Sequence, residues 1–196
     1  MNLFKVVYEK YMNICLLYNK IYSFIISKIF LESGKNLYTE YPIYIRGENY
    51  ISIGNHVKLM RNLRIEAYDF YAGKKYKPKI KIGNNVSINV NCHIGCVNNI
   101  IIGNNVLIGA GVLITDHSHG DTKGNEISIP PDKRKLYSKG KVIIKDNVWI
   151  GENVAILPGV TIGKSVIIGA NSVITHDIPD NVIAAGNPIK IVRRLK

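Results

Sequence analysis

Residues 142–177 read VIIKDN VWIGEN VAILPG VTIGKS VIIGAN SVITHD, which is six consecutive units of six residues. Isoleucine recurs at every sixth position, at Ile144, Ile150, Ile156, Ile162, Ile168 and Ile174. Neither the 3.6-residue period of a helix nor the two-residue period of a strand produces this spacing. A sustained hexapeptide period is typical of a parallel β-helix, in which three short strands and their turns complete one triangular coil. The sequence therefore predicts a mainly β fold.

The sixth-residue isoleucines are expected to point into this coil and to stack on their equivalents in neighbouring coils. Glycine follows three of them, as Gly151, Gly163 and Gly169. Because glycine adopts positive φ angles without a steric penalty, we expect these positions to form corners with a left-handed backbone.

The hexads extend towards both ends of the chain, with three interruptions. Residues 68–78 predict an edge loop, and residues 96–99 hold two extra residues at a corner. Residues 118–141 leave the coil as a long basic loop, and a loop of this length inside a repeat is typically functional. Residues 178–196 are expected to cap the end of the coil. We assign residues 34–196 to one coil domain.

The composition of the chain limits its possible binding partners and indicates its cellular compartment. The chain has 196 residues, which suits one domain with a sizeable core. Cys15, Cys92 and Cys96 form neither a disulfide framework nor a zinc signature, so a reducing, cytoplasmic setting is expected. The formal net charge of +12 favours an anionic partner, such as a phosphorylated cofactor, an acidic glycan or a membrane surface. No recognition motif for nucleic acid accompanies the charge, which argues against that partner.

Residues 1–33 form a separate N-terminal segment without hexads. Their apolar residues lie near helical spacing with lysines between them. No apolar run reaches the ~20 residues that span a bilayer. Two interpretations stay open: helices that pack on the coil or between subunits, and a basic amphipathic anchor that is peripheral on the inner face of the plasma membrane.

Two stretches carry a family resemblance. NVWIGENVAILPGVTIG at 147–163 and IPDNVIAAGNPIKIVRRL at 178–195 resemble the hexapeptide-repeat acyltransferases, and more narrowly the maltose/galactoside acetyltransferase and polysaccharide O-acetyltransferase branch. This resemblance implies a left-handed coil, acetyl-CoA as co-substrate and no metal. It also implies a homotrimer with its active sites between subunits.

The segment TDHSHG at 115–120 is the strongest candidate for the chemistry, because a histidine at the root of a loop is held by the coil yet open to ligand. In the branch named above, the catalytic histidine lies sixteen residues after the glycine of an earlier hexad. Counting sixteen from Gly103 gives His119, which we expect to be the general base. His117 is the alternative base or a neighbour that orients the acceptor. Asp116 is a candidate, by proximity, to hold the histidine tautomer.

The resemblance also implies further site residues, at positions of this chain that correspond to binding residues of the family. Asn89 matches the acceptor-binding asparagine of the branch, and Trp149 is expected to border both acceptor and cofactor. A carboxylate that contacts the acceptor in the galactoside branch is replaced by Val97, which argues against a simple galactoside or maltose acceptor. The implied contacts to CoA are Gly109, Trp149, Gly151, Glu152, Ala170, Thr175, His176, Lys190 and Arg193.

The expected reaction is acetyl transfer from acetyl-CoA to a sugar hydroxyl of a surface polysaccharide or its precursor, by direct attack with a histidine base. Alternatives within enzymes are N-acetylation of an amino-sugar nucleotide and acetylation of a xenobiotic. A more distant alternative is a metal enzyme like the γ-carbonic anhydrases, with His93, His117 and His119 as ligands, although their spacing does not match that family. A non-catalytic trimeric scaffold is the remaining class.

Overall fold

The computed structural model describes residues 3–121 and 123–195. One α-helix, α1 (Leu3–Ser27), precedes a long series of short strands. Single turns of 3₁₀-helix lie at Glu48–Tyr50 and Pro131–Lys133.

The strands of the first three coils alternate with tight corners. They are β1 (Glu32–Ser33), β2 (Tyr38–Thr39), β3 (Tyr44–Arg46), β4 (Ile51–Ile53), β5 (Lys58–Leu59), β6 (Arg64–Ala67), β7 (Phe70–Tyr71), β8 (Lys74–Lys75), β9 (Lys79–Ile82), β10 (Ser87–Ile88) and β11 (His93–Cys96). The remaining strands are β12 (Asn99–Ile102), β13 (Leu107–Ile108), β14 (Leu113–Thr115), β15 (Ser118–His119), β16 (Leu136–Tyr137), β17 (Val142–Ile144), β18 (Trp149–Ile150), β19 (Ala155–Ile156), β20 (Thr161–Ile162), β21 (Ile167–Ile168), β22 (Val173–Ile174), β23 (Val182–Ala185) and β24 (Lys190–Arg194).

Three sheets form the faces of a triangular coil. Sheet A has the order β1-β4-β9-β12-β17-β20, sheet B the order β2-β5-β10-β13-β18-β21-β23-β24, and sheet C the order β3-β6-β11-β14-β19-β22. Their strands pair in parallel, apart from β23 and β24, which form an antiparallel pair at the end of sheet B. The predicted β-helix is confirmed. Its first coil begins earlier than the hexads indicate, because β1, β2 and β3 already belong to the three sheets.

The sixth-residue isoleucines form the core. Ile144 pairs with Ile162 in sheet A, and Ile150 pairs with Ile168 in sheet B, so equivalent side chains lie one above the other. Each is at most 1% exposed. Burial of such aliphatic stacks is the main favourable contribution to the stability of the coil.

The predicted role of the glycines was wrong in detail. Left-handed backbone occurs two residues after Gly151, at Asn153 (φ 54°). Gly151 itself is required by crowding, because a Cβ there would lie 2.6 Å from the backbone nitrogen of Ala170 in the next coil. These glycines therefore permit close stacking of coils.

Two excursions from the coil support each other. Strands β7 and β8 form a hairpin within residues 68–78, and β15 pairs with β16 at the neck of the long loop. The hydroxyl of Tyr71 donates to the carbonyl of Asp132 at 2.9 Å, and that of Tyr76 accepts from the N–H of Leu136 at 2.8 Å. The hairpin thus braces the long loop against the coil.

Helix α1 docks on the first coil through a mixed face, with Asn19, Ser23 and Ile26 buried. Ser23 Oγ accepts the N–H of Thr39 at 2.6 Å, and Asn19 Oδ1 accepts the N–H of Tyr41 at 3.2 Å. An apolar stripe along the rest of the helix is exposed, and it includes Leu3, Val7, Tyr11, Ile14, Ile21 and Ile25. Across the part of the chain that the structure describes, no helix is long and apolar enough to cross a membrane.

Candidate active site

Asp116 is a fully buried carboxylate at the end of β14. It accepts the backbone N–H groups of Val97 at 2.9 Å and Asn98 at 2.8 Å, and the thiol of Cys96 at 3.2 Å. Burial, together with this carboxylate, raises the pKa of the Cys96 thiol, so that the thiol remains a donor. All three donors belong to the two-residue insertion at 96–99, so the insertion supplies the donors that hold Asp116.

Asp116 in turn orients His117. The Nδ1 atom of His117 lies 3.1 Å from Oδ1 of Asp116, and the histidine side chain is 11% exposed. An Nδ1–H that donates to a carboxylate leaves Nε2 as the acceptor nitrogen. His117 also lines a pocket of about 460 Å³, together with Thr115, Ser118, Tyr137, Lys139, Leu157, Pro158 and Thr175. A base with a fixed tautomer therefore faces a space that could hold substrate.

His119 lies two residues further on, in β15, and is exposed. Its ring packs edge-on against Tyr71, with centroids 5.5 Å apart. It lines a smaller recess of about 80 Å³ that also includes His93 and His117. The structure thus brings both predicted histidines to the root of the loop, with different surroundings.

Beside this recess lies a cluster in which Arg64, Glu66 and Tyr68 are residues that no sequence motif marked. Glu66, 3% exposed, accepts the hydroxyl of Tyr68 at 2.7 Å and a charged hydrogen bond from Arg64. His93 Nε2 lies 3.1 Å from Oε2 of Glu66, the oxygen that Arg64 also contacts. No hexad rule marks this cluster, because His93 comes from the coil after that of Arg64, Glu66 and Tyr68 and meets them through the pairing of β11 with β6.

Their protonation follows from burial and charge. Burial lowers the pKa of His93, and the positive charge of Arg64 lowers it further. Burial alone would raise the pKa of Glu66, but the hydrogen bonds from Tyr68 and Arg64 outweigh it and the pKa is lowered. Glu66 is therefore ionised and His93 neutral near pH 7.

Most of the other predicted residues lie on a second groove. This groove, of about 450 Å³, is lined by Asn89, Leu107, Gly109, Trp149, Gly151, Glu152, Ile167, Ile168, Gly169 and Ala170. Trp149 is 52% exposed there, and the side-chain amide of Asn89 donates to the carbonyl of Ile108 at 2.9 Å. The groove follows sheet B and its corner with sheet C.

One column of outward residues continues this groove to the end of sheet B. In register, Trp149 pairs with Ile167, Ile167 with Ile183, and Ile183 with Arg193. Three strand spacings of ~4.8 Å place Arg193 about 14 Å from Trp149 along the sheet. Lys190, also in β24, pairs with Ala185 and is exposed. The column is apolar in the middle and cationic at its end.

The predicted site residues therefore fall into two groups on one chain. Thr175 belongs to the pocket of His117, and its hydroxyl lies 3.2 Å from Nδ1 of the neighbouring His176. Trp149 and its neighbours line the other groove, and the two pockets share no residue. One chain alone does not bring the groups together.

The suggested metal ligands do not form a metal site. His93, His117 and His119 line one recess, but within residues 3–121 and 123–195 no group of three histidine, cysteine, aspartate or glutamate side chains could hold a metal ion.

Known proteins resemble the chain in sequence. Residues 141–176 match the family described as bacterial transferase hexapeptide (six repeats). WbbJ of Escherichia coli (strain K12), named as a lipopolysaccharide biosynthesis O-acetyl transferase, is 34% identical over 158 residues, which are 79% of this chain and 76% of WbbJ.

Solved structures resemble it in fold. A single-residue mutant of AntD, an N-acyltransferase from Bacillus cereus in complex with dTDP-4-amino-4,6-dideoxyglucose and coenzyme A, superposes with a TM-score of 0.73 at 26% identity, covering 88% of each chain. A maltose O-acetyltransferase from Clostridium difficile 630 gives a TM-score of 0.58 at 31% identity, over 88% of this chain and 73% of its own.

The three-sided coil, with residues 141–176 matching a bacterial transferase hexapeptide, defines a β-helical transferase. The chain belongs to the hexapeptide-repeat acyltransferases, and its coil is a left-handed parallel β-helix. The predictions of family, fold and enzyme class are confirmed.

Proposed function

We propose that the protein moves an acetyl group from acetyl-CoA to a hydroxyl of a sugar in a surface polysaccharide or its precursor. The observation that carries this proposal is the Asp116–His117 pair. Asp116 engages one ring nitrogen of His117, and His117 lines the pocket at the root of the long loop. The name of WbbJ supports the acceptor class.

The pair would act as a general base. Nε2 of His117 takes the proton of the sugar hydroxyl while the oxygen attacks the thioester carbonyl carbon. The carbon–sulfur bond then breaks, and the departing thiolate recovers the proton from the imidazolium. Asp116 keeps Nδ1 protonated and stabilises the positive ring. With both substrates held together, no covalent intermediate on the enzyme is needed.

His117 and His119 are the two candidates for the general base. The sixteen-residue count favours His119, whereas the hydrogen bonding favours His117, because a buried carboxylate fixes its tautomer. We therefore assign the base to His117 and give His119 a place beside the acceptor, with Tyr71.

We propose that acetyl-CoA, the co-substrate, binds in the groove lined by Trp149. A neutral pantetheine arm fits the apolar column from Trp149 to Ile183, and Lys190 and Arg193 suit the phosphates at its end. Gly109, Gly151 and Ala170 allow close approach of the arm to the backbone, while Glu152 and His176 are proposed to contribute backbone contacts. The coenzyme A held by AntD supports this choice of ligand.

The separation of the two groups supports a homotrimer. If the groove of one subunit meets the pocket of the next, the base and the thioester come together between chains.

The test is acceptor-dependent thiol release from acetyl-CoA, with O-antigen or capsular polysaccharide and with sugar nucleotides. We expect His117→Gln to lower kcat/KM by ~10²-fold or more and His119→Gln by less than ~10-fold. His56→Asn, an exposed corner histidine distant in sequence from the site, is the control. A larger loss in His119→Gln would instead assign the base to His119.

A second candidate is N-acylation of an amino-sugar nucleotide, because AntD, an N-acyltransferase, aligns over 88% of both chains. An amino sugar and its hydroxyl analogue, compared in the same assay, separate the two. Transfer to the amine alone would replace the hydroxyl proposal.

We also propose that the exposed apolar stripe of α1 contacts an anionic membrane surface peripherally, with Lys5, Lys10, Lys20 and Lys28 near the headgroups. Flotation with anionic vesicles tests this. Ile14→Gln with Ile21→Gln should abolish flotation; equal flotation, or self-association through the helix, would contradict it.

A further inference from the structure

Two carboxylate–histidine pairs face each other across Gly95. Asp116 holds His117, and Glu66 holds His93, each at 3.1 Å. A Cβ on Gly95 would lie 3.2 Å from Cε1 of His117 and 3.5 Å from Nε2 of His93. The missing side chain therefore makes room for both rings in one recess.

Two guanidinium groups lie at this recess and its edge, and its two carboxylates are buried and already engaged by donors. Glu66, one of the two, is engaged by Arg64, Tyr68 and His93 and is turned away from solvent. The Arg64 side chain remains 54% exposed. The Arg46 guanidinium stacks over the ring of Tyr68 at 4.6 Å, at the edge of the same cluster. Guanidinium groups held in place by stacking and pairing are suited to bind oxyanions.

The recess and the larger pocket share His117. A group bound in the recess would therefore sit next to the proposed base. Its volume of about 80 Å³ suits a group of a few heavy atoms. It does not suit a whole sugar ring.

We infer that the recess lined by Arg64, Tyr68 and His93, with Arg46 at its edge, binds an oxyanion of the acceptor, a carboxylate or a phosphate, and so selects acidic sugars. This inference rests on the proposed function and names its substrate class.

Matched acceptors test the inference. Binding to the CoA-loaded protein is measured by calorimetry for methyl glucuronoside against methyl glucoside, and for galactose 1-phosphate against galactose. We expect the acidic member of at least one pair to bind ~10-fold tighter, and the pair that shows this distinguishes carboxylate from phosphate.

Arg64→Gln should abolish this preference, whereas Arg61→Gln should keep it. Arg61 is the matched control because it is also exposed and paired with a carboxylate, that of Glu40. Arg64→Gln removes a partner of Glu66 and could therefore disturb the fold. Arg46→Gln leaves the Glu66–Arg64 pair intact and should also lower the preference for acidic acceptors, so it serves as the second variant.

Equal binding within both pairs, or an equal loss in Arg64→Gln and Arg61→Gln, would overturn the inference. So would absence of binding by all four compounds to protein that binds CoA. Thiol release with neutral polysaccharide is recorded in parallel. Transfer to neutral acceptors without an acidic preference would leave the proposed function standing and remove only the oxyanion site.

Discussion

The backbone N–H of Val97 donates a 2.9 Å hydrogen bond to Oδ1 of Asp116, the same oxygen that lies 3.1 Å from Nδ1 of His117. One carboxylate oxygen thus joins the corner insertion of one coil to the histidine of the next. The position of the proposed base therefore depends on a corner residue, Val97, that precedes Asp116 by nineteen residues.

Asp116→Asn should damage both stability and activity. An amide cannot accept from two N–H groups and from His117 as the carboxylate does, and a buried donor left unpaired costs about 1–3 kcal/mol. We expect the free energy of unfolding, from urea titration, to fall by that amount, and kcat to fall at least ~10-fold. Unchanged kcat in a folded variant would show that Asp116 serves the fold alone.

Gly95→Ala should lower kcat with little loss of stability. The added Cβ would press on the His117 ring, which must shift by a few tenths of an ångström. Loss of orientation reduces the rate more than binding. Gly73→Ala is the control, because its Cβ would meet no atom within 4 Å, although its φ of +75° carries a backbone cost. Equal kcat in the two variants would refute crowding at Gly95.

Arg193→Gln should weaken CoA binding by about 5- to 10-fold, measured as Kd by calorimetry, because a charge-assisted contact to a phosphate is lost. Arg194→Gln carries the same change of charge on the next residue, whose side chain points to the opposite face of a strand. It should bind CoA as the unaltered protein does. Equal losses would indicate a general effect of charge.

Ile150→Ala should remove about 2–5 kcal/mol from the free energy of unfolding, since a fully buried side chain leaves a cavity. Ile143→Ala, at a half-buried outward position of β17, should cost clearly less. If both substitutions cost the same, the isoleucine stack is not the main source of stability.

Acid should destabilise the fold in two steps. The pKa of His93 is lowered by burial and by Arg64, so the unfolded chain binds a proton there more readily. Stability is therefore lost as pH falls through about 6.5. Glu66, whose pKa is also lowered, adds a loss below about pH 4.5. Thermal melts should show a flatter dependence between pH 7.5 and 5.5 in His93→Gln; an unaltered slope would contradict this.

The sequence predicts the coil well because its determinants are local. Every sixth isoleucine occupies the same environment, so counting alone locates the stack, the long loop and the insertion at 96–99. What the insertion does was not predictable, since Asp116 meets it only after one full coil. The Glu66–His93 pair was missed for the same reason.

Helix α1 shows a second reason why the sequence does not predict every contact. Spacing predicts the helix but not the face that docks, and amphipathic helices ordinarily bury their apolar side. Here Asn19 and Ser23 face the coil, because backbone donors at its open end need acceptors. The docked face thus combines acceptors for those donors with the buried Ile26, while the rest of the apolar stripe stays exposed.

That docking also limits growth of the β-helix. The N–H groups of Thr39 and Tyr41 lie on the free edge of the first coil, where a strand of another molecule could add. Ser23 and Asn19 already occupy them. The helix thus blocks edge-to-edge addition of another molecule at this strand. A proteolytic cut that released the helix would expose these N–H groups and is expected to favour polymerisation.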